Sequence, residues 1–184
     1  MRFTMNEYQR LAQRTSLDDD HDKMDNGVLG LIGESGEIVD LLKKHKYQST
    51  PGTEFPYKKA LEELGDVLWY IAELASGLEK PLQEIARGDF AEYEDKAVSP
   101  AKRKRQLDRV ILGICDNVHS ICYYSKRDEF VYVESFMRKL LISAACLAYL
   151  CGSCLREVAE GNIEKLKKRY PKGFDAKISM GRYE

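Results

Sequence analysis

The chain has 184 residues, 43% of them hydrophobic and 32% charged, with a net charge of −1 at pH 7. That balance is typical of a folded globular protein and excludes collagen-like, low-complexity and charge-saturated disordered chains. At this length one compact domain, or two small similar halves, is the expected range.

In chain order, Thr4 and Glu7 have the spacing of a capping box and predict a first helix running to about Thr15. The segment Ser16 to Asp25, with Asp18, Asp19, Asp20, His21 and Asp22, is too polar to pack and reads as a loop. A second helix is expected over about Asn26 to Tyr47, ended by the turn residues Pro51, Gly52 and Pro56. Leu61, Leu64, Leu68, Ile71, Ala75 and Leu78 then form an apolar stripe at helical spacing, which predicts a third. Pro81 suits the first turn of a short fourth helix, and Ser99 with Pro100 forms a cap and first-turn pair opening a fifth. Two more, about Val131 to Leu150 and Cys154 to Tyr170, lead to a stop at Pro171. The fold class is therefore all-α.

No charged-then-apolar leader opens the sequence. The longest apolar run, Leu140 to Leu155, is short for a bilayer span and is interrupted by Ser143, Gly152 and Ser153. The expectation is a cytoplasmic protein without a membrane partner. All five cysteines lie in the second half on apolar helical pattern, where buried, reduced thiols are expected. Cys151-x-x-Cys154, with His119 and Cys122 as possible completing ligands, sits in that same apolar pattern, which argues against a zinc or redox site. Lys102 to Arg105 is a basic run without interleaved aromatics at a helix start; it reads as a solvated face, with no stable nucleic-acid binding. His21 and His45 read as incidental.

Two features point to an internal duplication. At an offset of 73 residues, Leu68, Ala72, Leu74, Ala75, Leu82, Glu84, Ala86 and Gly88 fall on identical residues from Leu141 to Gly161. At an offset of 82, Val28, Ile32 and Lys44 fall on Val110, Ile114 and Lys126. Residues 1–98 and 99–184 thus read as two degenerate repeats. Their charges oppose: the first carries 12 Lys and Arg against 20 Asp and Glu, the second 17 against 10.

Glu34 and Glu37 share one face of the second helix, and Glu63 and Asp66 repeat that spacing on the third. Facing carboxylates repel by about 4 kcal/mol per close pair at an effective dielectric near 20. They require a counter-charge, and hard oxygen donors favour Mg2+ or Mn2+ held together with substrate phosphates.

The strings GLIGESGEIVDLLKK (Gly30 to Lys44) and EELGDVLWYIAELA (Glu62 to Ala75) resemble the two core motifs of MazG-like nucleoside triphosphate pyrophosphohydrolases, Glu-x-x-Glu followed by Glu-x-x-Asp. The string REVAEGNIEKLKKRYPKGF (Arg156 to Phe174) is similar to the C-terminal signature of that family. The resemblance implies a MazG-like helical bundle that cleaves nucleoside triphosphates to monophosphate and pyrophosphate. Mg2+, or Mn2+ in its place, would be held by Glu34, Glu37, Glu63 and Asp66, with Glu34 or Glu37 taking a proton from the attacking water. Lys43 or Lys44, with Lys165, Lys168 and Arg169, would hold phosphates. Asn162 would bind metal-associated water or substrate, and Trp69 and Tyr70 would pack on base or sugar. A homodimer is the oligomer expected.

The second repeat replaces the four carboxylates by Asp116, His119, Phe136 and Lys139, whereas the cationic tail around Lys165 aligns with acidic residues in the first. One composite site drawing on both halves is therefore expected. Two alternatives stay open at this point. One is a carboxylate-bridged di-metal bundle, prompted by Asp116-x-x-His119; the other is a nucleotide sensor without turnover.

Overall fold

The computed structural model describes residues 3–17, 22–93 and 100–174, with side chains from residue 106 onward in the last stretch. The loop acids Asp18 to Asp20 with His21, the Ser99 cap, the side chains of Lys102 to Arg105 and the expected boundary at residues 98 and 99 lie outside the described residues. Those that are described form seven α-helices and no β-strand: α1 (Met5–Ala12), α2 (Lys23–Tyr47), α3 (Tyr57–Gly77), α4 (Leu82–Ala86), α5 (Pro100–Ser125), α6 (Phe130–Leu150) and α7 (Leu155–Arg169).

Local hydrogen bonds set the helix ends. Thr4 accepts from the Glu7 amide at 3.1 Å, but the Glu7 carboxylate turns to Arg10 at 2.7 Å, so only half of the expected capping box forms. The first helix also ends earlier than its pattern suggests. The chain tightens into a 3₁₀ turn over Gln13–Thr15, where the Thr15 hydroxyl donates to the Ala12 carbonyl. Helix α2 begins three residues before its predicted start because Asp22 accepts from the amides of Met24 and Asp25.

Helices α2 and α3 form one antiparallel hairpin and α5 and α6 a second, and α2 packs along α5. Leu31 and Ile38 of α2, Leu64 and Ile71 of α3, Ile114 of α5 and Leu140 of α6 are fully buried between them. The chain turns by 91° between α6 and α7, which lays α7 across α3, and α1 packs on α3, α4 and α7. Among the described residues no single helix is long and apolar enough to cross a membrane.

The two hairpins share a register. α3 and α6 are both 21 residues long and start 73 residues apart, as do α4 and α7. The turns after them match bond for bond: Lys80 donates to Ala75, and Ser153 to Ala148, each at 2.9 Å. Glu79 and Gly152 occupy the same left-handed position, at φ 56 and 82. The correspondence stops after five residues of α4, at Arg87 in a left-handed cap, whereas α7 continues for 15 residues.

One expectation is corrected. No disulfide joins the five thiols, yet Cys146 is exposed and the other four are only partly buried, because they fall on the flanks of the apolar stripes and not at their centres.

Gly30 allows α2 and α3 to approach closely: a Cβ there would lie 2.0 Å from the Tyr70 ring. Gly30→Ala is therefore expected to cost about 1–3 kcal/mol of stability in urea unfolding. The cost should shrink when Tyr70→Ala is made in the same chain.

Candidate metal and phosphate site

The α2–α3 interface carries the carboxylates because residues 34 and 37 of α2 and residues 63 and 66 of α3 fall on facing stripes. One oxygen from each of Glu34, Glu37 and Glu63 lies within 4.8 Å of the others. Glu63 is 4% exposed, Glu34 half-buried and Glu37 exposed, so the group opens to solvent on the Glu37 side. Three hard, anionic oxygens at this spacing suit a divalent cation, which needs only a small contraction to reach coordination distance.

The electrostatics show the strain of gathering them. Burial, then the charges of Asp66, Glu37 and Glu63, raise the Glu34 carboxyl from 4.5 to about 7. Glu37 is also raised, first by burial and then by Glu63. Two lysines offset the repulsion. Lys59 Nζ lies 2.5 Å from Glu63 Oε1, one turn away on the same helix. Lys165, from α7, lies 2.5 Å from Asp66 Oδ2.

Asp66 stands apart from the group of three. Lys165 contacts both its oxygens, and Oδ1 also accepts from Asn162 Nδ2 at 3.1 Å. The other end of that amide is fixed, since Asn162 Oδ1 accepts from the buried Tyr8 hydroxyl at 3.0 Å. Gly65 permits the contact: a Cβ there would sit 3.1 Å from Asn162. Helices α1, α3 and α7 thus meet on one aspartate.

Beside this junction a groove of about 380 Å³ runs between α3 and α7, with Leu61, Gly65 and Val158 in its apolar wall and a mixed polar lining of Asn162, Lys58, Lys165 and Lys168 with Glu62, Glu157 and Glu164. The structure therefore assembles Glu34, Glu37, Glu63, Asp66, Asn162, Lys165 and Lys168. Arg169 follows Lys165 by four residues, one turn further along α7. Tyr70 lies one layer from the carboxylates, over Gly30.

Three expected substrate contacts are engaged elsewhere. Lys43 and Lys44 both pair with Asp40 on the exposed side of α2. Lys44 is seven residues past Glu37, a rise of about 10 Å. The Trp69 indole N–H donates to the Ala12 carbonyl and the Thr15 hydroxyl, so that side chain seats α1. Among the described residues, Asp116, His119 and the Cys151–Cys154 pair join no group of three candidate metal ligands.

Lys59 and Tyr8 were not singled out from the sequence. Lys59 carried a signal, its i, i+4 relation to Glu63. Tyr8 carried none, since its partner is 154 residues away.

Tyr8→Phe leaves a buried amide oxygen without its donor and is expected to cost about 1–3 kcal/mol in denaturant unfolding. Glu34 gives a pH signature. Its carboxyl is raised in the fold, so the stability it contributes is full below pH 4.5 and is lost as pH rises through about 7. Glu34→Gln should therefore raise the unfolding free energy in urea at pH 8, by roughly 1–2 kcal/mol after solvent screening, and change it little at pH 4.

No family model matches this chain, and no solved structure matches it. Among curated proteins, the "Gene 37 protein" of Mycobacterium phage L5 is 31% identical over 70 residues, which cover 38% of this chain and 61% of that protein.

Proposed function

We propose that the chain is a divalent-metal-dependent nucleoside triphosphate pyrophosphohydrolase of the MazG-like type. The observation that carries this reading is the convergence of Glu34, Glu37 and Glu63 beside an aspartate bound by the cationic helix α7, whose Asn162 and Lys165 also line a groove of about 380 Å³. A polyphosphate ester is the ligand class that uses both halves of such a site: clustered carboxylates to hold cations, and lysines to meet phosphate oxygens.

Glu34, Glu37 and Glu63 would hold Mg2+ or Mn2+, which would supply charge neutralisation at phosphate oxygens and acidify a water. Lys165 and Lys168, along the groove, would bind phosphates, with Asn162 orienting them. Glu34 or Glu37 would accept the proton of the water that attacks the α-phosphorus. Pyrophosphate then leaves and a nucleoside monophosphate remains.

The matching registers of the two hairpins support descent from a duplicated unit, in which the second half keeps the helical frame and supplies α7. A homodimer is part of the proposal. Leu29 on α2 is 61% exposed and Leu112 on α5 54%, with Gly33 and Gly36 of α2 open to close approach.

The test is pyrophosphate release from ribo- and deoxyribonucleoside triphosphates with Mg2+ or Mn2+. Wild type should release pyrophosphate and monophosphate, and Glu63→Ala should lower the rate roughly 100-fold or more. Lys165→Glu should fall comparably, through loss of a phosphate contact. Wild-type protein silent on every nucleotide with either metal would sink the proposal.

A further inference from the structure

A cleft of about 680 Å³ lies on the other half of the molecule, between the end of α4 with its following turn and the α5–α6 hairpin. Its floor is Ile142, Ala145, Cys146 and Tyr149 of α6. The offset of 73 residues sets these on Trp69, Ala72, Glu73 and Ser76 of α3. Three of those four hold the N-terminal segment in place. Trp69 donates to Ala12 and Thr15, Glu73 accepts from Gln13 and Ser16, and Ser76 accepts from Gln9.

The walls correspond as well. Ala86 and Tyr93 fall on Ala159 and Leu166 of α7, and Leu166 lies beside Leu11 and Thr15. Val110 falls on Val28 of α2 at the offset of 82. The cleft is the second half's counterpart of the seat that α1 fills in the first.

Its chemistry has changed in one direction. Arg109 and Arg138 line it where the first half has Gly27 and Gly65, and Arg87 adds a third guanidinium, against one carboxylate, Glu92. The Tyr93 hydroxyl donates to the Ala86 carbonyl at 3.0 Å within range of the Arg138 charge, and Arg138 Nε is buried without a hydrogen-bond partner among the described residues. Along α6 the lining runs from Arg138 to Leu150, about 18 Å, which is the length of a helix of about twelve residues. Helix α1 illustrates the kind of ligand such a seat takes, with Met5, Tyr8 and Ala12 buried at i, i+3 and i+7.

We propose that this cleft is a docking groove for a short acidic amphipathic helix of another protein. The helix would lay an i, i+3, i+7 apolar stripe on Ile142 and Tyr149 and set flanking carboxylates against Arg87, Arg109 and Arg138. The groove does not depend on the pyrophosphohydrolase proposal, since it shares no residue with the carboxylate site.

The test uses the full chain and a synthetic peptide of about fourteen residues with leucines at i, i+3 and i+7 and flanking glutamates. Cys146 reports on the groove floor through its rate of iodoacetamide labelling, read by mass spectrometry. Cys122, twelve residues beyond Val110 and so about 18 Å along α5, serves as the internal reference. The acidic peptide should slow Cys146 labelling at least about fivefold at saturation and leave Cys122 unchanged. The exposed pair Arg87→Glu and Arg109→Glu should abolish that protection while the circular dichroism spectrum stays the same. Equal protection by a scrambled or lysine-flanked peptide, protection by ATP instead, or no protection at about 1 mM peptide would each overturn the proposal.

Discussion

The structure is organised around a repulsion. Glu34, Glu37, Glu63 and Asp66 are gathered where two helices meet, and in isolation that arrangement would push α2 and α3 apart. Lys59 answers part of the charge from within α3 and Lys165 answers part from α7. Much else follows from the second of these. For Lys165 to reach Asp66, α7 must cross α3, so the chain bends by 91° after α6. Asn162 then bridges Asp66 to Tyr8, which ties α1 to the same point. A polar requirement at one interface thereby fixes the position of both ends of the fold.

The two halves use one frame for different ends. Their hairpins agree in length, offset and turn hydrogen bonding, yet the acidic residues sit in the first and the cationic helix belongs to the second. The opposed charges seen along the sequence are therefore a spatial complement, in which α7 reaches back onto the half that carries the carboxylates. The same comparison exposes a second divergence. Where the first half needs small residues, Gly27 against Leu74 and Gly65 against Asn162, the second has arginines lining a cleft.

How much of this could be read from sequence follows from the range of each interaction. Helix positions were legible, because apolar spacing and local caps act over three or four residues. The shifted ends of α1 and α2 reflect details that spacing does not encode, a 3₁₀ turn at Gln13 and a cap at Asp22. The facing carboxylates were legible from their paired spacing, and their meeting with the α7 tail from the charge contrast between the two halves of the sequence. The resemblance sets Trp69 together with Tyr70 on base or sugar. Adjacent residues on a helix point about 100° apart, and that rotation sends the indole to α1. Lys43 and Lys44 enter through the motif resemblance, but Asp40 at i−3 and i−4 holds them on the surface. The Tyr8–Asn162 bond, spanning 154 residues, leaves no local trace.

The separation between Asp66 and Lys165 also imposes an order on biosynthesis. At translation rates of about 5–20 residues per second, the 99 residues between them take roughly 5–20 s to be made. Through that interval the acidic hairpin exists without its α7 lysine. A nascent chain in that condition has Lys59 beside Glu63 but leaves Asp66 without Lys165. Docking of the last helix is thus the step that gives Asp66 its lysine partner.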